Sequence, residues 1–167
     1  LVILSNNEEM KNNLRSEAIK LNLDPNLIKF VDYISFEDHM ARHKIFDLFL
    51  DSFNYNAHTS AVDTLWAGLP ILTKVGKGFS SRICGSILNS LNLNELVTYS
   101  KKDYEKKAIF FGNNKKKINE IKTNISKSKL KNTFYDIKQY TLKLEEAFES
   151  VHIARLNGKK PASIEIK

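Results

Sequence analysis

Apolar residues follow two rhythms along the first hundred positions. Short aliphatic runs stand at residues 1–4, 27–31, 46–50 and 70–73. Runs of that length predict buried strands. Between them the period lengthens. Met10, Leu14, Ala18 and Leu21 are spaced four, four and three apart, which predicts a helix over 8–21. The stretch 22–26, with Pro25 between two Asn, breaks it. Ser35 followed by Glu37 and Asp38 predicts the start of a short helix reaching residue 44. A loop over 51–57 leads to a helix over 58–67, stopped by Gly68 with Pro70 just beyond. A glycine-bearing loop at 74–78 precedes a helix over 79–91, and 95–98 predicts a short strand.

After residue 100 the strand pattern stops. Residues 102–111 and 115–126 predict surface helices. Residues 136–156 predict a long amphipathic helix carrying Ile137, Tyr140, Leu144, Phe148 and Val151, ended by Gly158 and Pro161. No internal repeat and no low-complexity linker interrupts the chain. Alternating strands and helices predict an α/β fold. Its core over 1–100 is a Rossmann-like parallel sheet with helices on both faces, and 101–167 is a helical extension. In such sheets ligands bind beyond the carboxyl ends of the strands. The informative residues are therefore 33–39, 51–63 and 74–82.

The 167-residue length favours one domain. The chain does not begin with Met, and we expect a segment of a longer protein. Net charge is +7, but residues 101–131 carry eleven Lys against three acids. The run reads either as a solvated face or as a surface for phosphate or anionic partners. With only four Arg in the chain and few interleaved aromatics, it argues against nucleic acid as a partner. Cys84 is the only cysteine, so no internal disulfide forms; it lies in an apolar stretch and reads as a core residue. No apolar run approaches the roughly 18–20 residues of a membrane span, so no membrane partner is expected, and the single cysteine fits the reducing, cytoplasmic setting that we expect.

The loop after the third strand carries the densest chemistry. It delivers His58, Thr59 and Ser60 to a helix start, where unpaired N–H groups and the positive end of the dipole favour an anion. Asp63, one turn on, shares their face and suits sugar hydroxyls. The alternative is an N-capping Thr or Ser with an acid favouring the dipole. The loop with Gly76, Gly78, Ser80, Ser81 and Arg82 is either a second phosphate-approaching turn or an ordinary strand–helix turn capped by its serines. His39 and His43 are four apart, but no acid or cysteine cluster completes a metal site, so no metal is expected. Asp47 and Asp51 do not make the paired acids of a metal–diphosphate motif.

The stretch Asn56-Ala57-His58-Thr59-Ser60-Ala61-Val62-Asp63-Thr64-Leu65-Trp66-Ala67-Gly68-Leu69-Pro70 resembles the O-GlcNAc transferase family, the family-41 glycosyltransferases that carry TPR repeats ahead of a split catalytic region. The resemblance continues at Ser81-Arg82, at Asp136-Ile137-Lys138-Gln139-Tyr140, at Asn157-Gly158-Lys159-Lys160-Pro161, and upstream at Glu37-Asp38-His39 and Leu50-Asp51. It implies the carboxyl-terminal lobe of a GT-B enzyme. His58, Thr59 and Ser60 would hold the diphosphate, Asp63 the ribose, and His39 would pack on uracil, whose edge would meet the backbone at Ile34 and Phe36. Relatives often carry Pro-Lys or Pro-Arg where Ser35-Phe36 stands, a change that a backbone contact survives.

The resemblance implies a UDP-GlcNAc donor, a Ser or Thr acceptor on a protein or peptide, and no cofactor. The catalytic base would lie in an amino-terminal lobe outside this chain, so the segment alone would be inactive. Alternatives are a UDP-glucose or GDP-fucose relative, a lobe that only scaffolds, or a non-enzymatic anion-binding module using residues 101–131. The last predicts steep salt dependence.

Overall fold

The computed structural model describes residues 1–129 and 132–166. Two compact units divide the chain, Leu1–Phe46 and Asp47–Lys167. In the first, β1 (Val2–Leu4) pairs in parallel with β2 (Lys29–Val31), with Ile3 opposite Phe30. Helix α1 (Glu8–Lys20) crosses between them; the Asn7 side chain caps it by accepting from the Met10 N–H at 2.8 Å, with Glu8 and Glu9 in the first turn favouring the dipole. Helix α2 (Phe36–Arg42) starts at Ser35, whose hydroxyl accepts from the Asp38 N–H at 3.1 Å.

In the second unit β3 (Phe49–Leu50), β4 (Ile71–Lys74) and β5 (Val97–Thr98) form a parallel sheet in that order. Phe49 lies opposite Ile71, and Thr73 opposite Val97. Central β4 buries Ile71, Leu72 and Thr73. Helices α3 (Thr59–Trp66) and α4 (Ile83–Ser90) follow β3 and β4, and they bury Ala61, Leu65, Cys84 and Leu88 in one core with the sheet. Gly68 closes α3 at φ +88°, a left-handed turn in which its N–H bonds Leu65 O and the Leu69 N–H bonds Thr64 O. Gly85 is required by close packing: a Cβ there would lie 2.5 Å from Val75 Cγ2.

The parallel character of the strands matches the sequence expectation; several boundaries do not. The strand expected over 27–31 begins at Lys29, because Asp24 accepts from the Asn26 N–H at 2.9 Å and winds Pro25–Leu27 into a 3-10 turn. The run 46–50 yields only Phe49–Leu50, because the Phe46 N–H closes a 3-10 turn on His43 O. The helix expected over 79–91 splits into a 3-10 turn, Phe79–Ser81, and α4. Helices α5 (Lys101–Asn113) and α6 (Lys115–Ser128) are not merely superficial: Tyr104, Phe111, Ile118, Ile121 and Ile125 enter the core. Helix α7 (Ile137–Leu156) is capped by Asp136, which accepts from the Gln139 N–H, and buries none of its residues.

Candidate functional site

Strands β3 and β4 run in parallel, so the loops after Leu50 and Lys74 leave from the same sheet edge. The first loop is tightly tied. Asn56 is buried; its side-chain amide donates to Ser52 O at 2.7 Å and its backbone N–H to Ser80 O at 2.9 Å. The Ser52 hydroxyl donates to Tyr55 O. Tyr55 stacks on the His58 ring at 4.6 Å, while its own ring remains exposed.

The loop ends at His58, the residue that occupies the N-cap of α3, with no side-chain capping bond. Thr59 and Ser60 are therefore the first two helical residues, and they do not cap the helix. The first helical N–H bonds come from Ala61 and Val62, both to His58 O. Thr59 and Ser60 are exposed, and their N–H and hydroxyl groups have no hydrogen-bond partner among the described residues. Two amides and two hydroxyls without a partner among the described residues thus stand at the positive end of a helix, chemistry that suits an anion. Asp63 is half-buried one turn along the helix, and its carboxylate has no partner among the described residues. Of the two alternatives left open by the residue types, capping is the one the geometry removes.

The second loop resolves toward the ordinary turn. Gly76 approaches Ser81, not open space: a Cβ on Gly76 would lie 2.3 Å from Ser81 Oγ, and the Gly76 N–H donates to Ser81 O at 2.8 Å. Ser80 and Ser81 do not cap α4, whose N-cap is Arg82 without a side-chain bond. The Ser81 hydroxyl instead donates back to Gly78 O. The loop nonetheless braces the start of α3. Ser80 O accepts the Asn56 N–H and lies 3.2 Å from His58 Nε2, and the Ser80 hydroxyl donates to Asn54 O. A carbonyl only accepts, so that contact places the proton of His58 on Nε2. This tie was not foreseeable from the sequence: Ser80 is 22 residues from His58 and belongs to no recognisable spacing.

In the first unit, Ile34 and Phe36 are exposed, and Phe36 opens α2, where its N–H lies outside the helical ladder. His39 is half-buried. Its Nδ1 accepts from Arg42 Nε at 3.1 Å, and its ring meets His43 edge-on at 4.7 Å. Arg42 also donates to Asp32 O, so the imidazole is braced by a residue on the next turn. His43 is buried, with Nδ1 2.7 Å from His39 O, in keeping with a structural part.

Among the described residues, no group of three or more His, Cys, Asp or Glu is placed to hold a metal, and no helix is long and apolar enough to cross a membrane. The lysine run is partly engaged by the fold. Lys107 Nζ donates to Val97 O, Lys117 pairs with Glu95 at 2.8 Å, and Lys129 donates to Trp66 O while lying 4.3 Å over its ring. Lys131 lies outside the described residues.

A family model described as Glycosyl transferase family 41 matches residues 1–144. The chain is 29% identical over 133 residues to a UDP-N-acetylglucosamine–peptide N-acetylglucosaminyltransferase of Caenorhabditis elegans, covering 80% of this chain and 12% of that protein. It is 26% identical over 153 residues to a probable enzyme of the same description from Arabidopsis thaliana, covering 91% of this chain and 16% of that one. The chain thus spans less than a fifth of the length of these relatives. Its fold matches a solved O-GlcNAc transferase variant from Thermobaculum terrenum with a TM-score of 0.82 at 20% identity, over 89% of this chain and 29% of that structure.

Proposed function

The chain belongs to glycosyl transferase family 41, and from that premise we propose that it is the nucleotide-sugar-binding lobe of a protein O-linked N-acetylglucosaminyltransferase. The observation that carries the reading is the start of α3, where both amides and both hydroxyls of Thr59 and Ser60 stand beside His58 without a partner among the described residues. In this reading those groups hold the diphosphate of UDP-GlcNAc and stabilise the charge that develops as it leaves. Asp63 accepts from a ribose hydroxyl. His39 packs on uracil, and the backbone of Ile34 and Phe36 meets the base edge. The acceptor is a Ser or Thr hydroxyl of a protein, and the catalytic base comes from an amino-terminal lobe of the same parent. A soluble cytoplasmic setting with TPR repeats in the parent completes the proposal. The two curated relatives carry this donor and a peptide acceptor in their names, and this supports the choice of UDP-GlcNAc over UDP-glucose or GDP-fucose.

The test is calorimetric titration with UDP, with GDP as control and no metal added. UDP should bind, GDP should bind far more weakly, and His58→Ala should weaken UDP. Asp63→Ala should cost about 1.5–3 kcal/mol of UDP binding, the worth of a hydrogen bond to a charged group. Its melting temperature should stay within the error of measurement, since the carboxylate supports nothing in the described fold. A large melting loss with unaltered UDP affinity would make Asp63 a structural acid. Preference for GDP would move the donor to the fucosyl branch.

A further inference from the structure

Asp51 is a buried acid that the nucleotide contacts do not use. Only 4% of it is exposed, at the carboxyl end of β3. Its Oδ1 accepts the Ser52 N–H at 2.9 Å and the Ala57 N–H at 2.8 Å. Its Oδ2 accepts the Thr73 hydroxyl of β4 at 2.6 Å. The Cys84 thiol of α4 also lies against the carboxylate, and the Tyr104 hydroxyl of α5 donates to Asp51 O at 3.1 Å. One carboxylate therefore closes the loop 52–57 end to end and anchors it to the central strand. Ala57, held by that carboxylate, immediately precedes His58 and the first turn of α3.

Resting on the nucleotide reading above, we infer that Asp51 is a positioning residue that fixes where His58, Thr59 and Ser60 stand, without touching the ligand itself. The energetic signs separate this role from ordinary structural support. Burial raises the Asp51 pKa from its ordinary value despite its hydrogen bonds. The folded state therefore holds the proton more tightly than the unfolded state, and the ionised carboxylate at neutral pH weighs against folding; that burden lifts as pH falls. Two backbone N–H groups of the loop and one strand hydroxyl converge on this single carboxylate, and that convergence points to the loop it organises. Neutral replacement should leave the fold as stable or more so, while weakening the acceptor that two backbone N–H groups share.

The experiment compares wild type with Asp51→Asn at pH 7, reading the melting temperature and UDP affinity together. The expected result is a melting temperature equal to or above wild type, with UDP bound about tenfold more weakly, the equivalent of one charge-assisted hydrogen bond. Equal loss of stability and affinity, or wild-type affinity, overturns the positioning role. Failure of wild type to bind UDP overturns the nucleotide reading and this assignment with it, so the two failures are told apart by the wild-type arm. Amide exchange of wild type gives a second reading that needs no variant. The Ala57 N–H should exchange at least about a hundredfold more slowly than an open loop amide; free exchange of that amide overturns the assignment.

Discussion

Alanine at both Thr59 and Ser60 will abolish measurable UDP binding and leave the melting curve in place. Each hydroxyl is exposed and unpaired among the described residues, so removing it empties no cavity and orphans no buried partner. Neither caps α3; His58 holds that position. Alanine is also the better helix former at both sites. Stability therefore has no route by which to fall. Binding has two, because a hydrogen bond to a charged ligand is worth about 1.5–3 kcal/mol. Two such bonds amount to about 3–6 kcal/mol, a factor of roughly a hundred or more. The backbone amides and dipole remain, so a residue of weak, salt-sensitive affinity for inorganic phosphate should persist. UDP binding within threefold of wild type would show that the hydroxyls are not part of the site.

Leu65→Ala will do the reverse, unfolding the chain at lower temperature while leaving the intrinsic site chemistry untouched. Leu65 is 0% exposed on the inner face of α3, in one core with Ala61, Ile71 and Leu88. A buried leucine cut to alanine costs about 2–5 kcal/mol, through lost transfer energy and the cavity left behind. For a chain of this size each kcal/mol moves the midpoint by about 2–4 °C. Saturating UDP, at a hundred times its dissociation constant, should return about 2.7 kcal/mol by mass action. Thermal scans with and without UDP check both halves. A midpoint unchanged by Leu65→Ala would mean that the neighbours collapse fully into the space.

The strands were legible as short apolar runs, and β4, which buries Ile71, Leu72 and Thr73, shows why such a run suits a covered strand; β1 and β3 carry the same pattern while leaving Val2, Leu4 and Leu50 exposed. The start of α3 was legible for a different reason: His, Thr, Ser and, one turn later, Asp lie at spacings that a helix brings to one face. What escaped depends on contacts remote in sequence. Ser80 and Asp51 matter through partners 22 residues away, His58 and Thr73, and no local pattern marks such pairs. The shortened strands escaped through turn chemistry at Asp24 and His43 that competes with the sheet for N–H groups. Helix α6 was expected as a surface helix, and its burial escaped because lysines dominate its composition. Its buried stripe of Ile118, Ile121 and Ile125 keeps helical spacing within that charge.

Helix α7 follows Tyr135, which packs against the core and meets Trp66 at 5.3 Å, and from there buries nothing. Twenty residues of helix are thus held by their own hydrogen bonds, an Asp136 cap and a Lys143–Glu146 ion pair, without the packed face from which most helices in proteins draw their stability. In cooperativity terms α7 is a separate unit: melting the core returns little to it, and melting it exposes little that was hidden. Heating followed by helical signal should show a shallow early loss ahead of the main transition. A chain ended at residue 135 should lose that early phase and keep the main one.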